Sequence, residues 1–166
     1  IRDCIDYLRS NYSSERIYKG IHTIFVMTLL RVSDILQIQS SRAPKQVENV
    51  QKLQSPVSLG EWDMHQAIEF INKNHDDPET IMVVAHATNR RTYLRIRGML
   101  DQIQSELDAA WTAIGEVYGY YPQLREIGLK YRRIKSNIDD LETFSKQVKY
   151  IPTQASFEVA DSDLLK

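Results

Sequence analysis

The chain has few of the residues that would cross-link it through disulfide bonds or anchor it in a membrane. Its only cysteine, Cys4, excludes an internal disulfide and is typical of a protein from a reducing compartment. The longest apolar run, residues 24–30, is far too short to span a bilayer and is interrupted by Thr28. The net charge of −1 gives no bulk attraction to nucleic acid or to an anionic membrane. We therefore expect a cytoplasmic protein with no membrane partner.

The chain also lacks the compact motifs of cofactor-binding and catalytic sites. It has no glycine-rich phosphate loop and no Gly-x-Gly-x-x-Gly sequence. Its histidines are too far apart to form a metal motif such as His-Glu-x-x-His, and Cys4 has no base nearby in sequence. We predict no cofactor and no catalytic residue within this chain.

The most informative residue is Asp34, a carboxylate in the otherwise apolar segment 29–36. This segment is apolar enough to predict a helix that is buried on more than one side. A buried, unpaired carboxylate is strongly destabilising, so Asp34 requires a partner. The candidates are a metal ion, backbone donors and Arg31, which lies three residues earlier on the same helical face. Two interpretations stay open: a structural role, as an Arg31–Asp34 pair or a half-exposed aspartate, or Asp34 as a metal ligand.

Several short motifs follow this segment in a defined order. They are Arg42-Ala43-Pro44-Lys45-Gln46, residues 53–58, Glu61-Trp62, residues 65–68, residues 103–108, Trp111, residues 115–119 and Tyr150-Ile151-Pro152. The ordered set resembles the C-terminal half of HD-type phosphohydrolase domains. The similarity is to the bacterial subgroup in which such a domain precedes an ATPase of the gyrase, heat-shock chaperone and histidine-kinase class.

The resemblance implies a role for Asp34. In HD-type domains an arginine-x-x-aspartate on a late helix supplies the last metal-binding aspartate, and Arg31 and Asp34 match it. HD chemistry also needs an early histidine and an adjacent His-Asp pair, because clustered ligands hold the ion that activates water. The only His-Asp dipeptide, His75-Asp76, comes after Asp34 and runs into the turn sequence Asp77-Pro78. The resemblance therefore implies that the other ligands lie upstream of this chain, that a divalent metal belongs to the intact protein, and that ATP belongs to a following domain.

The hydrophobic pattern predicts a mainly α fold with a small antiparallel β element, of the α+β class. We expect the C-terminal half of an HD-like helical domain over 1–60, a β-hairpin insertion over 61–90, a connector over 91–150 and a linker over 151–166. Helices are predicted over 1–12 and 14–38, with a short one over 45–53 flanked by turns or extended chain. Residues 67–71 and 81–85 are β-prone runs around a turn-rich connection, and 157–159 could add a third strand.

The connector is predicted to be a long antiparallel helical hairpin. Apolar residues recur at three- and four-residue spacing over 93–117 and again over 124–148. Between them, residues 118–122 combine a helix stop with a proline start. Folding at this turn places Leu107 opposite Ile134 and Ile103 opposite Ile138, so the two helices should pack along one seam.

Two further sets of residues are candidate surfaces, each with a structural alternative. Trp62, His65, Tyr118, Tyr120 and Tyr121 form either a protein interface or the edge of the core. Basic residues cluster over 90–97 and 130–135, with phosphate contacts assigned to Arg90, Arg91, Arg132 and Arg133. The alternative for the basic clusters is pairing with acidic residues of the neighbouring helix.

These patterns favour a fragment that couples and binds partners within a larger HD-domain and ATPase protein, and that does not catalyse alone. Its partner would be the rest of its own polypeptide or another protein. One alternative is a part of a metal-dependent phosphohydrolase with Asp34 as its distal ligand. The other is a nucleic-acid-binding helical module that uses residues 90–97 and 130–135, although the near-neutral charge makes nucleic acid an unfavoured partner.

Overall fold

A computed structural model describes residues 17–18, 20–38, 55–119, 129–146 and 148–150 of the chain. The elements in these ranges are β1 (Ile17–Tyr18), β2 (Ile21–His22), α1 (Thr23–Ile35), α2 (Pro56–Ala67), β3 (Ile68–Lys73), β4 (Thr80–Ala85), α3 (Arg90–Tyr118), β5 (Arg133–Ser136) and α4 (Leu141–Ser145).

The chain enters α1 through a two-stranded hairpin. Ile17 pairs with His22 and Tyr18 with Ile21, and Gly20 in the turn has a φ of 79°. This left-handed backbone conformation is accessible to glycine and interrupts a helix. The predicted helix over 14–38 is therefore wrong at its start, since the described helix begins only at Thr23. The predicted helices over 1–12 and 45–53 lie outside the described residues.

α2 corrects the prediction of turns or extended chain around Pro56 and Gly60. Pro56 occupies the first turn and Ser55 is the N-cap residue with extended dihedral angles. Proline at the start of a helix loses no hydrogen bond, because the first backbone N–H groups have no partner within the helix. The sequence therefore contained a helix start at Ser55-Pro56.

The central sheet has the strand order β3-β4-β5. β3 and β4 form the predicted antiparallel hairpin, with Ile71 opposite Val83 and Lys73 opposite Ile81. β5 then pairs with β4 in the parallel direction. The sheet is mixed, so the prediction of a purely antiparallel element is corrected. The predicted third strand over 157–159 lies outside the described residues.

The first half of the predicted helical hairpin corresponds to α3, but a continuous helix over 124–148 is wrong. Residues 133–136 are a strand, and α4 covers only Leu141–Ser145. Between them, Asp139 accepts a hydrogen bond from the backbone N–H of Ser136 at 2.6 Å, and Asp140 accepts from Glu142 N and Thr143 N at 3.1 Å. Short polar side chains that bond the local backbone favour turns and helix caps over a helix interior.

The core lies between α3 and the sheet. Its largest fully buried side chains include Ile68, Ile96, Leu107 and Ile138. A second apolar cluster at the far end of α3 consists of Ile24, Phe25, Ala113, Val117 and Tyr118. α3 has 29 residues and is about 44 Å long, so one helix contacts both clusters. None of the described helices is long and apolar enough to cross a membrane.

Candidate functional site

A cleft of about 660 Å³ opens between α1, α2 and α3. Its apolar lining is contributed by Ile35, Ile38, Met64, Met99 and Ile103. Two arginine–glutamate pairs lie at the polar part of the wall, and each pair joins one of the shorter helices to α3. The cleft therefore combines an apolar floor with charged groups that are already neutralised.

The first pair joins α1 to α3. The guanidinium of Arg31 donates from Nη2 to Oε1 of Glu106 at 3.0 Å and from Nε to Oε2 at 3.4 Å. This two-point arrangement fits the planar guanidinium and fixes its orientation. Hydrogen bonding by Arg31 holds the pKa of Glu106 below its usual range, and the same bond raises the pKa of Arg31.

The second pair joins α2 to α3. Nη1 of Arg95 donates to Oε1 of Glu61 at 3.0 Å. The guanidinium of Arg95 passes so close to Gly60 that a Cβ atom at that position would overlap it. Glycine in a helix interior costs about 1 kcal/mol relative to alanine. Gly60 therefore lowers the stability of α2 but leaves space for the guanidinium of Arg95. The sequence placed Gly60 in a turn or extended segment, and only the fold shows that a guanidinium occupies the space beside it.

The Arg31–Glu106 pair makes a pH-dependent contribution to stability. Glu106→Gln is expected to lower the free energy of unfolding by about 0.5–1 kcal/mol at neutral pH, since the pair is half-exposed. The folded-state pKa of Glu106 is depressed. Its contribution is therefore complete above the ordinary glutamate value of about 4.3 and is lost as the pH falls through the folded pKa.

Urea unfolding of both proteins at neutral pH and near pH 3 checks this expectation. The difference between wild type and Glu106→Gln should shrink toward zero at the lower pH. The matched control is Glu142→Gln, which removes an exposed partner of Lys146 on α4. A difference that stayed constant across this range would mean that the Glu106 charge does not carry the effect.

Asp34 lies on the last turn of α1, and its side chain is exposed. The expectation of a buried Asp34 is therefore wrong, and of the structural alternatives the half-exposed aspartate agrees better with this position than the Arg31–Asp34 pair. Arg31 bonds Glu106, and Asp34 adds only a weaker electrostatic contribution that raises the pKa of Arg31. Among the described residues, no group of three or more His, Cys, Asp or Glu side chains could hold a metal ion. These residues alone do not fit the divalent metal of HD chemistry, which needs several clustered ligands.

His65 and Trp62 occupy neighbouring positions on α2 with different surroundings. His65 lines the cleft, and its Nδ1 lies 3.0 Å from the carbonyl oxygen of Ile38. A carbonyl oxygen only accepts, so Nδ1 carries the proton that is donated. Trp62 is half-buried, and its indole N–H has no hydrogen-bond partner within the described part of the chain. The interface assigned to these two residues stays a prediction.

Tyr118 belongs to the buried cluster at the end of α3 rather than to the surface. Only 1% of it is exposed, and its ring packs edge-on against His22 at 5.1 Å between centroids. Its hydroxyl accepts a hydrogen bond from the backbone N–H of Phe25 at 3.4 Å. This placement favours the core alternative for Tyr118. Tyr120 and Tyr121 lie outside the described residues.

The two arginines of the second cluster, Arg132 and Arg133, have acidic or aromatic partners. Arg133 lies 3.4 Å from Asp77, and Arg132 lies over the ring of Trp111 at 4.5 Å from its centroid. Arg132 also comes within 4.0 Å of Glu79. These contacts favour the alternative in which the arginines serve the fold.

The first basic cluster divides into two parts. Arg97 pairs with Asp139, which lies within the segment that the sequence placed opposite it. Arg90 and Arg91 are exposed in the first turn of α3. Phosphate contact by Arg90, Arg91, Arg132 or Arg133 therefore stays a prediction.

Three residues stabilise the site and the sheet through partners that the sequence did not indicate. Glu106 lies 75 positions from its partner Arg31, and no local pattern connects them. Gln104 and Asn137 bond backbone groups at the two sides of β5. Neither amide differs in sequence from an ordinary surface residue, so only the fold identifies them.

The family of the chain follows from comparison with known proteins. The family model described as HD-CE matches residues 2–109, which include every residue that lines the cleft. This match covers more than half of the chain, and the chain belongs to the HD-CE family. No curated protein matches it, and no solved structure does. The HD-type domain implied by the resemblance is thus confirmed, whereas the ATPase neighbour and the position within an HD domain stay predictions.

Proposed function

We propose that this chain is a coupling and partner-binding part of a larger HD-domain protein and does not catalyse by itself. The observation that carries the proposal is the donor set at the position expected to bind metal. It consists of one exposed carboxylate, Asp34, next to an arginine that is engaged with Glu106. One carboxylate cannot replace the several ligands that metal-activated hydrolysis requires.

The exposed face of α1 supports binding to the rest of the protein. Leu30 is 65% exposed and Met27 is 37% exposed. Asp34 lies four positions after Leu30 and seven after Met27, which places the three side chains on one face of the helix. Any segment that brought further metal ligands to Asp34 would cover this face. The apolar residues beside Asp34 thus suit a contact with the remainder of the HD domain.

α3 supports the coupling role. Arg31–Glu106 and Arg95–Glu61 connect this helix to α1 and α2, and its inner face packs on the sheet. A displacement of α1 would therefore act on α3 in two ways. One is through the Arg31–Glu106 ion pair, and the other is through the second apolar cluster, at the C-terminal end of α3. Coupling to an ATPase module is the further step that the resemblance implies.

A phosphohydrolase assay tests the proposal. The chain should show no turnover of nucleotides above background in the presence of Mn²⁺ or Mg²⁺, and Asp34→Ala should not change that result. Asp34→Asn is the matched variant, because it keeps the size and removes the charge. Metal-dependent turnover that disappears in both variants would overturn the proposal.

The second candidate is a metal-dependent phosphohydrolase formed by the intact protein, with Asp34 as its distal ligand. The exposure of Asp34 beside an apolar face favours it, because the carboxylate is free to meet ligands from another segment. In a longer protein containing this chain, Asp34→Ala would then abolish hydrolysis and weaken Mn²⁺ binding. Hydrolysis that is unaffected by Asp34→Ala would contradict this second candidate and would leave coupling as the only proposed role.

A further inference from the structure

A second cavity, of about 590 Å³, is lined by residues of α2, β3, α3 and the connection between β4 and α3. None of the described residues that line it also lines the cleft. Its volume lies within the range of about 300–1,000 Å³ that is typical of small-molecule sites. Among the described lining residues only Ala67 is apolar. Such a wall suits a small ligand that carries charged and hydrogen-bonding groups.

Thr92, in the first turn of α3, has a hydroxyl without a hydrogen-bond partner in the described part of the chain. A threonine within a helix can donate to the carbonyl four residues earlier, as Thr28 and Thr112 do at 2.7 and 2.9 Å. For Thr92 that position is Thr88, which precedes the helix. Thr92 is only 4% exposed, but its hydroxyl oxygen is not sealed from solvent. The hydroxyl therefore faces the cavity that Thr92 lines.

The start of α3 adds further donors to this part of the wall. The side-chain oxygen of Asn89, the N-cap residue, accepts from the backbone N–H of Thr92 at 2.9 Å. The side-chain N–H groups of Asn89 make no hydrogen bond within the described residues. The backbone N–H groups of Arg90 and Arg91 have no acceptor within the helix, and a helix of 29 residues carries a partial positive charge at its N-terminus. The start of α3 thus favours an anionic group such as a phosphate or a carboxylate.

The part of the wall contributed by α2 and β3 carries negative charge. Asp63 lines the cavity and has no ion pair or hydrogen bond in the described part of the chain. Glu69, the second carboxylate, accepts from Nε2 of His86 at 2.8 Å. Both carboxylates repel a ligand that carries only negative charge, whereas Asp63 can accept hydrogen bonds from a cationic group. The cavity therefore selects a ligand with one group of each sign.

We propose that this cavity binds a small zwitterion, with its anionic group at the start of α3 and its ammonium group at Asp63. The hydroxyl of Thr92 donates to the anionic group and so gains the hydrogen bond that it lacks without ligand. A nearly buried hydroxyl without a partner lowers the stability of the fold, and the bound ligand removes this penalty. Phosphate-bearing and carboxylate-bearing amines share the required chemistry.

NMR titration of the 166-residue chain with phosphoethanolamine and with β-alanine tests the site. The backbone amide signals of Thr92 and Asp63 should shift together as the zwitterion binds. At least one of the two compounds should bind about tenfold or more tightly than inorganic phosphate, propionate or ethylamine, each of which carries only one of the two groups. The tighter zwitterion shows whether the anionic group is a phosphate or a carboxylate. Absence of binding by both, or equal binding of inorganic phosphate and phosphoethanolamine, would overturn the proposal.

Thr92→Val tests the hydroxyl, because valine keeps the shape of the side chain and removes its donor. It should weaken binding of the tighter zwitterion at least about tenfold. It should not lower the melting temperature, since the hydroxyl has no partner to lose. Thr92→Ser keeps the hydroxyl and should retain binding. Thr112→Val is the matched control on the same helix, because its hydroxyl bonds within α3, and it should leave binding unchanged.

Asp63→Asn tests the ammonium contact independently of Thr92. Asp63 is exposed on α2, so this variant should fold even if Thr92→Val disturbs α3. It should weaken binding of the zwitterion at least about tenfold and should not weaken binding of inorganic phosphate, since the change removes a negative charge. Zwitterion binding that is unaffected by both Thr92→Val and Asp63→Asn would show that the ligand does not occupy this cavity.

Discussion

Leu107→Ala is expected to lower the free energy of unfolding by about 2–5 kcal/mol. Leu107 is 0% exposed in the middle of α3 and belongs to the main apolar cluster with Ile103 and Ile138. Truncation removes buried methyl groups and leaves a cavity, because the rigid helix and the sheet cannot close around it. Urea unfolding followed by circular dichroism measures the difference.

Two control variants show whether the loss depends on burial of the truncated side chain. Leu30→Ala, on the exposed face of α1, should change the free energy of unfolding by no more than about 0.5 kcal/mol. Ile134→Ala should cost about 1 kcal/mol, because Ile134 is only partly buried. A loss below about 1 kcal/mol for Leu107→Ala would show that α3 does not pack on the sheet through this residue.

Asn137→Ala is expected to cost about 2–4 kcal/mol, although it removes a single small polar side chain. Nδ2 of Asn137 donates to the carbonyl of Ala85 at 3.0 Å, and Oδ1 accepts from the N–H of Ala85 at 2.9 Å. Ala85 is 0% exposed, so water cannot replace either bond. Leaving two buried backbone groups without partners costs roughly the desolvation energy of each.

Asn137→Asp separates this effect from simple loss of volume. A carboxylate of the same shape can accept from Ala85 N–H but cannot donate to its carbonyl, so a large loss should remain. Gln104→Ala is the matched control at the other side of β5, where its partner Arg132 is exposed. It should cost no more than about 1 kcal/mol, since water can replace the amide there. Similar losses for Asn137→Ala and Gln104→Ala would contradict the role given to burial.

The prediction of the fold succeeded where the local pattern and the packing agree. The apolar spacing over 93–117 corresponds to α3, whose buried residues include Tyr93, Ile96, Leu100, Ile103 and Leu107. The β-prone runs on either side of a turn-rich segment form the antiparallel β3–β4 pair. In both cases nearby residues determine the structure, so a periodic pattern is sufficient.

The prediction failed where the partner of a segment is distant in sequence. Tyr131, Ile134 and Ile138 have helical spacing, yet Ile134 lies in a strand. β4 would otherwise have an unpaired edge, and parallel pairing with residues 133–136 satisfies its backbone groups. Ser136, Asn137, Asp139 and Asp140 are residue types that favour turns, but the prediction followed the apolar spacing of the segment instead.

The candidate site shows the same division. Arg31, Asp34 and His65 were identified from sequence because they lie in segments with recognisable order. Their interactions were not, because Glu106 approaches Arg31 from another helix and Ile38 O approaches His65 from another segment. Exposure of Asp34 also depends on which side of α1 the core covers.

The HD-type family was predicted from ordered motifs, and the long helix α3 and the hairpin β3–β4 were predicted from short-range periodicity. The contact between Arg31 and Glu106, the exposure of Asp34 and the pairing of residues 133–136 with β4 became apparent only from the fold. These features arise from pairing between segments far apart in the chain. They are stabilised by hydrogen bonds and ion pairs to backbone and charged groups. A local sequence pattern does not show which of these groups lack a partner.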